Sequence, residues 1–462
     1  MTYDVLVIGA GPAGYVCAIR ASQLGQKIAI VDKQWLGGVC LNVGCIPSKS
    51  LLKNADVADT LRHRGKEFGF SFDNLQLDYS AAVKRSRQVS NRLVKGVEFL
   101  MKKNKIDVHM GAAELKSASS VEVTAKDGSK QTHTAKNIVV ATGASVAVPP
   151  GIALDGKKVV TYREAILQET LPPSVIVVGA SAIGCEFATV WNAYGSEVTI
   201  VEMLPRIVPA EDEEVSKELT KEFTKKGMKV KAGAKVESID ASGDKVKVKV
   251  GGEDKPLEVD QVLIATGIKP NSKSLGLEVV GVKMNQRGFI EIDDGMRTNI
   301  PNIFAIGDVT GKLALAHVGS AQGIVCAETI AGHETVTLDY DMMPRATYCQ
   351  PQVASFGYTE AQAKEKGYEV KTAKFNFQAN GKALGLGDYV GWIKIVADAK
   401  YGEILGAHMI GPEVTELLPE FTLAHNLELT AEEIARNVHA HPTLSEVIME
   451  AAHGLTGGYI HM

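Results

Sequence analysis

Residues 4–32 read DVLVIGAGPAGYVCAIRASQLGQKIAIVD. An unbroken apolar run ends in a glycine turn made by Gly9, Gly11 and Gly14, and a second apolar run closes on Asp32. Continuous runs of this kind suit strands buried on both faces, and two parallel strands need a crossover helix between them. The stretch therefore predicts strand, turn, helix and strand. The same order recurs at 175–202, VIVVGASAIGCEFATVWNAYGSEVTIVE, with Gly179, Ser181, Gly184 and Glu202. In both copies the acid stands 18 positions beyond the last small residue of the turn. One glycine turn alone is a weak signal. A turn set between strand and helix, with an acid ending the next strand, is a strong one.

The chemistry behind the turn is close approach of backbone to a pyrophosphate. The first glycine makes the bend, the second leaves room for phosphate, and the third lets helix and strand pack. The helix start then offers unpaired N–H groups and a positive dipole end to the anion, and the acid accepts hydrogen bonds from a ribose. Two such turns imply two dinucleotides, FAD and a nicotinamide cofactor. A carboxylate at Glu202 suits the 2′-hydroxyl of NAD and repels the 2′-phosphate of NADP. Ser181 occupies the second-glycine position, where its side chain either crowds the pyrophosphate or hydrogen-bonds it.

Each half has a later echo, IVVATGA at 138–144 and VLIATGI at 262–268, and TNIPNIFAIGD at 298–308 ends on another strand-and-turn. From about residue 341 the glycine fingerprints stop and short strands and helices follow. The expected fold is α/β, with two Rossmann-like dinucleotide-binding domains and an α+β C-terminal domain. Expected boundaries are 1–149 for FAD, 150–271 for NAD, 272–342 for a central segment completing the FAD domain, and 343–462 for the last domain. The LPP at 171–173 reads as a hinge between the two nucleotide-binding halves.

Composition bounds the rest. The 462 residues are 45% hydrophobic and 23% charged, with a net charge of −4, which gives no electrostatic case for nucleic acid or an anionic membrane. No run of 18 apolar residues is present, and the start, MTYDVLVIGAGPAGY, has no basic leader segment. Six cysteines in this length do not make a secreted disulfide scaffold, so a cytoplasmic protein is expected.

Two of those cysteines, Cys40 and Cys45, stand five apart in GGVCLNVGCIPSK at 37–49. A staple, half a metal site, a buried apolar pair and a redox couple are the competing readings. The other four are scattered singly, which disfavours zinc, and no metal site is expected. On an ideal helix, positions i and i+5 have Cα atoms roughly 8–9 Å apart. Bridged cysteines need about 4.4–6.8 Å. The pair can bridge only if the helix is distorted between them, and Gly38, Gly44 and Pro47 supply that freedom. Lys49 follows Cys45 by four residues. On a resumed helix it shares a face with Cys45, and its ammonium favours thiolate.

Near the C-terminus, HAHPTLSE at 439–446 offers a proton carrier. Histidine titrates near working pH, and Pro442 disfavours helix at His441, so that residue sits at a bend. Glu446 either orients the His441 ring or closes a helix start as part of a Thr443-x-x-Glu446 capping box. His439 reads as a packing or surface histidine.

These segments resemble the pyridine nucleotide–disulfide oxidoreductases. The likeness covers essentially the whole chain, through AGPAGY, CLNVGCIPSK, ATGA, GCEF, ATGIKPN, NIFAIGD, AHVGSAQG, FNFQANGKA, GEILGAHMIGP and HAHPTLSE. It implies a redox disulfide in which Cys40 exchanges with substrate and Cys45 faces the flavin, with Lys49 paired to Glu186. It places Gly9, Gly11, Gly14, Asp32, Lys33, Gly38, Val39, Cys40, Lys49, Ala113, Thr142, Gly143, Asp308 and Ala316 along FAD. Along NAD it places Gly179, Ser181, Ala182, Ile183, Gly184, Glu202 and Gly267. The C-terminal domain is implied to make a homodimer, with His441 and Glu446 serving the partner's thiols. CLNxGCIPSK is the form carried by members that oxidise protein-bound dihydrolipoamide and reduce NAD+. A lipoylated acyltransferase or lipoyl carrier protein of a 2-oxoacid dehydrogenase or glycine cleavage complex is then the partner. Alternatives are reduction of another disulfide, such as glutathione disulfide, and a non-catalytic dinucleotide-binding protein. Val39 stands where Thr is common in the family, Ile268 where Arg is common, and Gln352 where Glu is common.

Overall fold

The apolar run at Thr2–Ile8 lies inside a seven-stranded sheet, pairing in parallel with Ile28–Asp32 on one side and Lys130–Val140 on the other. The computed structural model describes residues 2–462. Alanine and glycine dominate the buried face of the helix Pro12–Gln23, which crosses between the first two strands, and let it pack closely against the helix Ala316–Ala331. The strand Ile303–Ala305 joins the same sheet beside Lys130–Val140, so the segment after the second repeat folds back onto the first unit. A second sheet of five parallel strands is built around Ser174–Val178, Glu197–Glu202 and Gln261–Ile264, and the helix Ala182–Tyr194 follows its glycine turn. The last unit is a five-stranded antiparallel sheet carrying the helices Val414–Asn426 and Glu446–Thr456. The α/β class with a C-terminal α+β unit is as the sequence predicts.

The two turns are the same object twice. Gly9 N–H donates to Val31 O and Gly179 N–H to Val201 O, at 2.7 and 2.9 Å. A Cβ on Gly9 would lie 2.2 Å from Ala141 O, and one on Gly14 would lie 1.8 Å from Gly9 O. The corresponding distances in the second copy are 2.4 Å for Gly179 against Ala265 O and 1.9 Å for Gly184 against Gly179 O. These glycines are fixed by the protein's own backbone. Gly11 differs, because a Cβ there meets no protein atom within 4 Å. Its missing side chain leaves space for something else. Gly14→Ala is therefore expected to yield no soluble protein, whereas Gly11→Ala folds with an unchanged melting temperature and binds FAD at least about tenfold more weakly. Fluorescence titration of the apoprotein with FAD checks this, and equal affinity would remove the pyrophosphate from Gly11.

Leu171 to Pro173 is no hinge between the halves. The strand Val159–Val160 precedes it in sequence yet belongs to the second sheet, and Pro172 O accepts the buried Ser196 hydroxyl at 2.6 Å. The segment is held inside the second unit.

The second and third units are joined by charge. Lys394, buried on the antiparallel sheet, places Nζ 2.8 Å from both Asp212 and Glu214 at the start of the helix Glu213–Lys225. Lys374 Nζ is 2.6 Å from Glu214. Burial works against the Glu214 charge, but the hydrogen bonds from Lys374 and Lys394 outweigh it and hold its pKa at about 2. A folded value below the ordinary 4.5 means this contribution is present above 4.5 and is lost as pH falls toward 2. Melting temperatures at pH 5 and pH 3 should therefore fall further in the parent than in Glu214→Gln. Parallel falls would count against the pair.

Candidate active site

The thiol pair sits at a helix break. The helix Gly38–Val43 carries Cys40, and a new helix, Cys45–Asp59, begins at the second cysteine, with Gly44 between them at φ −131°, ψ −117°. A Cβ on Gly44 would lie 2.9 Å from Val39 O and 3.2 Å from Cys40 Cα. Glycine is what lets the turn carrying Cys40 approach the start of the next helix. All six cysteines are free thiols, so the geometry is that of the reduced pair. Cys40 and Cys45 are half-buried, and Cys17, Cys185, Cys326 and Cys349 are buried.

The two thiols are not equivalent. The Cys40 S–H donates to Cys45, and this contact, with burial, pushes the Cys40 pKa far up. The same hydrogen bond, joined by the Lys49 ammonium and the helix start, pulls the Cys45 pKa down against burial. Of the two, Cys45 is the thiol whose ionisation the Lys49 ammonium and the helix start favour.

Lys49 is anchored from the second unit. Its Nζ lies 2.9 Å from both carboxylate oxygens of Glu186, which is buried on the helix Ala182–Tyr194. Burial opposes the lysine charge, and Glu186 overcomes it, so the ammonium persists. Tyr348 completes the arrangement, donating its backbone N–H to Glu186 at 3.1 Å while the ammonium sits 4.4 Å from the centre of its ring. Sequence reasoning missed Tyr348, because nothing local ties position 348 to position 49.

The dinucleotide cradles have acceptors and donors in place. The helices after both turns start without a side-chain cap, leaving their first N–H groups for an anion. Asp32 accepts from Ala10 N–H at 2.8 Å, and Glu202 from Ala180 N–H at 2.7 Å. Each acid therefore also pins its glycine turn, a duty the sequence reading did not assign. Ser181 is exposed and makes no capping hydrogen bond, and Ala182 and Ile183 follow it at the helix start. Ser181→Gly is expected to change the affinity for the nicotinamide cofactor and leave FAD affinity unaltered. Equal NAD titrations in variant and parent would take Ser181 off that cofactor.

Burial raises the Asp308 carboxyl, and no cation offsets it, which suits an acceptor for sugar-alcohol hydroxyls. Ala316 opens the helix behind it, where Gln322 accepts from Gly307 N–H at 2.6 Å. Gly38 packs on the first turn, since a Cβ there would lie 2.6 Å from Gly11 Cα. Thr142 donates its hydroxyl to Asn271 O at 2.7 Å, and Asn271 N–H donates to Gly143 O at 3.0 Å. These bonds tie the ATG turn of the first unit to a short ribbon, Ala144–Val146 against Ile268–Pro270, that leads from the second. Gly267 lies just before that ribbon. Ala113 is buried on the strand Ala112–Ser117, and Lys33 is exposed beside Asp32. The open position at Gly11, the uncapped helix starts and the unpaired Asp308 fit a dinucleotide in the first cradle. Ser181 and Glu202 fit one in the second.

Among the exchanged family positions, Gln352 accepts the Thr415 hydroxyl at 2.8 Å and its N–H at 3.3 Å, bonds a carboxylate would also accept. Val39 packs partly buried against the core around Trp191 and Leu51.

His441 lies on the last unit, just before the helix Glu446–Thr456. Its imidazole is 78% exposed and touches Glu446, with Nδ1 2.9 Å from Oε1. The other oxygen, Glu446 Oε2, accepts Thr443 N–H at 2.8 Å. One carboxylate thus both orients the ring and fixes the bend. Half of the capping-box reading holds: Glu446 accepts Thr443 N–H, while the Thr443 hydroxyl donates to Ala440 O at 2.7 Å and the helix starts at Glu446.

The pyridine nucleotide-disulphide oxidoreductase family matches residues 3–323, and its dimerisation domain matches residues 343–452. The chain belongs to this family. It is 54% identical over 465 residues to a dihydrolipoyl dehydrogenase of Mycobacterium leprae, covering 99% of each, and 53% identical to that of Corynebacterium glutamicum, again covering 99% of each. Among solved structures it resembles LpdA of Mycobacterium tuberculosis, with a TM-score of 0.92 at 26% identity over 98% of this chain and 99% of that one. It also resembles a copper(II) complex of RclA, an HOCl-induced flavoprotein disulfide reductase of Escherichia coli, with a TM-score of 0.88 at 27% identity over 98% and 99%. No helix among the described residues is long and apolar enough to cross a membrane.

Proposed function

We propose that the chain is an oxidoreductase that oxidises protein-bound dihydrolipoamide to lipoamide and reduces NAD+ to NADH, with FAD as its resident cofactor. The observation that carries this reading is the thiol pair set across the helix break at Gly44, with the Glu186-anchored Lys49 ammonium one helical turn beyond Cys45. A dithiol with a cation beside one member and a dinucleotide cradle near it has the chemistry of an electron relay, and the 53–54% identical relatives carry the same activity in their names.

Oxidation begins from the Cys40–Cys45 disulfide. One substrate thiol gives its proton to His441 and attacks Cys40, and Cys45 leaves as thiolate. The second substrate thiol then attacks the substrate sulfur of the mixed disulfide and releases Cys40 as leaving group. The proton of the second substrate thiol passes to the departing Cys40, so two substrate thiols become one disulfide while the protein disulfide becomes a Cys40 thiol and a Cys45 thiolate, with the first proton held on His441. Lys49 supports the Cys45 thiolate, and Glu186 keeps Lys49 charged and in place. FAD, when bound along the Gly9–Gly14 turn, supplies the two-electron transfer between that thiolate and NAD+. Glu202 favours the unphosphorylated ribose of NAD.

The contact His441 makes within its own chain is with Glu446. The exposed His441, on the unit that matches the dimerisation domain, is the proton acceptor for the thiols of a second copy. The family's dimerisation domain supports a homodimer. A lipoylated acyltransferase or lipoyl carrier protein is the substrate partner. The test compares NAD+ reduction by dihydrolipoamide with NADPH oxidation by glutathione disulfide. Turnover only in the first assay is expected, and turnover only in the second would replace the substrate.

A further inference from the structure

One ammonium gathers residues from all three units. Lys49 stands on the helix Cys45–Asp59 of the first, and Glu186 on the helix Ala182–Tyr194 of the second. Tyr348 comes from the third, between the strands Arg345–Thr347 and Gln352–Gly357 of the antiparallel sheet. The Lys49 Nζ lies 2.9 Å from each oxygen of Glu186 and 4.4 Å from the centre of the Tyr348 ring. Glu186 Oε1 also accepts the Tyr348 backbone N–H at 3.1 Å. The backbone of Tyr348 thus holds the carboxylate, while its side chain meets the cation.

The two partners act differently. A carboxylate takes directed hydrogen bonds, and its two oxygens engage two of the three ammonium donors. An aromatic face attracts the cation through its quadrupole, and more strongly where water is excluded. Lys49 stands where that second hold matters. With Tyr348 it lines a cavity of about 330 Å³ at the meeting of the three units, and Asp388 and Glu416 border the same cavity. These carboxylates compete for an ammonium that is not held in place. Glu186 and Cys45 act on Lys49, and Lys49, Glu416 and Glu186 act on Tyr348, whose hydroxyl burial holds protonated.

We infer that Tyr348 is a positioning residue for Lys49: its ring face fixes the ammonium one helical turn beyond Cys45, so that a residue of the unit matching the dimerisation domain sets how strongly Lys49 supports the Cys45 thiolate. The hydroxyl is not needed for this. Phenylalanine offers the same face and keeps the backbone N–H bond to Glu186. An aliphatic side chain keeps only the backbone bond, which isolates the ring. The inference rests on the reading of Lys49 as the cation that supports Cys45.

The test reads Cys45 alone, as the pH dependence of its alkylation by iodoacetamide in FAD-loaded Cys40→Ser protein, with the modified site located by peptide mass. In this background Tyr348→Leu is expected to raise the midpoint for Cys45 by about half a pH unit, a roughly threefold weaker ionisation, which is the size of effect one partly desolvated cation–π contact supports. Tyr348→Phe should keep the parent midpoint. Should Tyr348→Leu fail to fold, Tyr348→Phe is compared with pentafluorophenylalanine incorporated at position 348, which keeps the shape of the ring and reverses the charge of its face. The fluorinated ring should then raise the midpoint. A midpoint unmoved on loss of the ring face, or an equal rise in Tyr348→Phe, would overturn the inference while leaving the role of Lys49 intact. An unmoved midpoint in Lys49→Met would overturn the reading on which it rests instead.

Discussion

Cys45→Ser is expected to lose at least about 10³-fold in dihydrolipoamide oxidation, because the disulfide cannot form and a hydroxyl does not ionise in the working range. The fold should survive. Serine is nearly isosteric, Gly44 keeps its backbone break, and the Lys49–Glu186 pair stands without the sulfur. The variant should bind FAD and melt within a few degrees of the parent. A second effect separates this account from simple damage. The contact with Cys45 is the leading cause of the raised Cys40 pKa, so its removal should ease ionisation of Cys40. Iodoacetamide should then alkylate Cys40 faster in Cys45→Ser than in the reduced parent at the same pH. Slower alkylation would mean that Cys45 is not the thiolate of the pair.

His441→Gln is expected to lower kcat/KM for dihydrolipoamide by about 10²–10⁴-fold, the usual range for removing a general base. The imidazole is 78% exposed and hydrogen-bonds Glu446, so stability should be untouched. Glu446 keeps its bond to Thr443 N–H and the bend is retained. Because the proton acceptor is assigned across two copies, mixing provides a further check. A mixed population of inactive His441→Gln and inactive Cys45→Ser chains, dissociated and reassembled, should regain activity through heterodimers that pair an intact His441 with intact thiols. No recovery, with heterodimers demonstrated, would place the base in the same chain as the thiols it serves.

The parts legible in sequence were those set by local spacing. Each glycine turn occupies six residues between a strand and a helix, and its steric reasons lie within that stretch and the neighbouring ATG turn. The thiol pair was legible because five residues with an internal glycine define its geometry. What escaped involved partners far apart in the chain. Tyr348 reaches Glu186 and Lys49 across some 160 and 300 positions. Glu420 stands 19 residues before His439, on the helix Val414–Asn426, so the HAH run alone suggested a bland first histidine. The LPP segment misled for a related reason. Proline clusters mark breaks in secondary structure, and here the break falls within a unit whose first strand had already entered the sheet.

The central claim is that Cys40 and Cys45 alternate between disulfide and dithiol during turnover. It is tested most directly by counting thiols in the unfolded protein before and after anaerobic treatment with dihydrolipoamide. The chain has six cysteines. With one pair bridged, the oxidised enzyme should show four, the reduced enzyme six, and addition of excess NAD+ to the reduced enzyme after removal of substrate should restore four. A count of six throughout, in enzyme that still turns over dihydrolipoamide, would contradict the account.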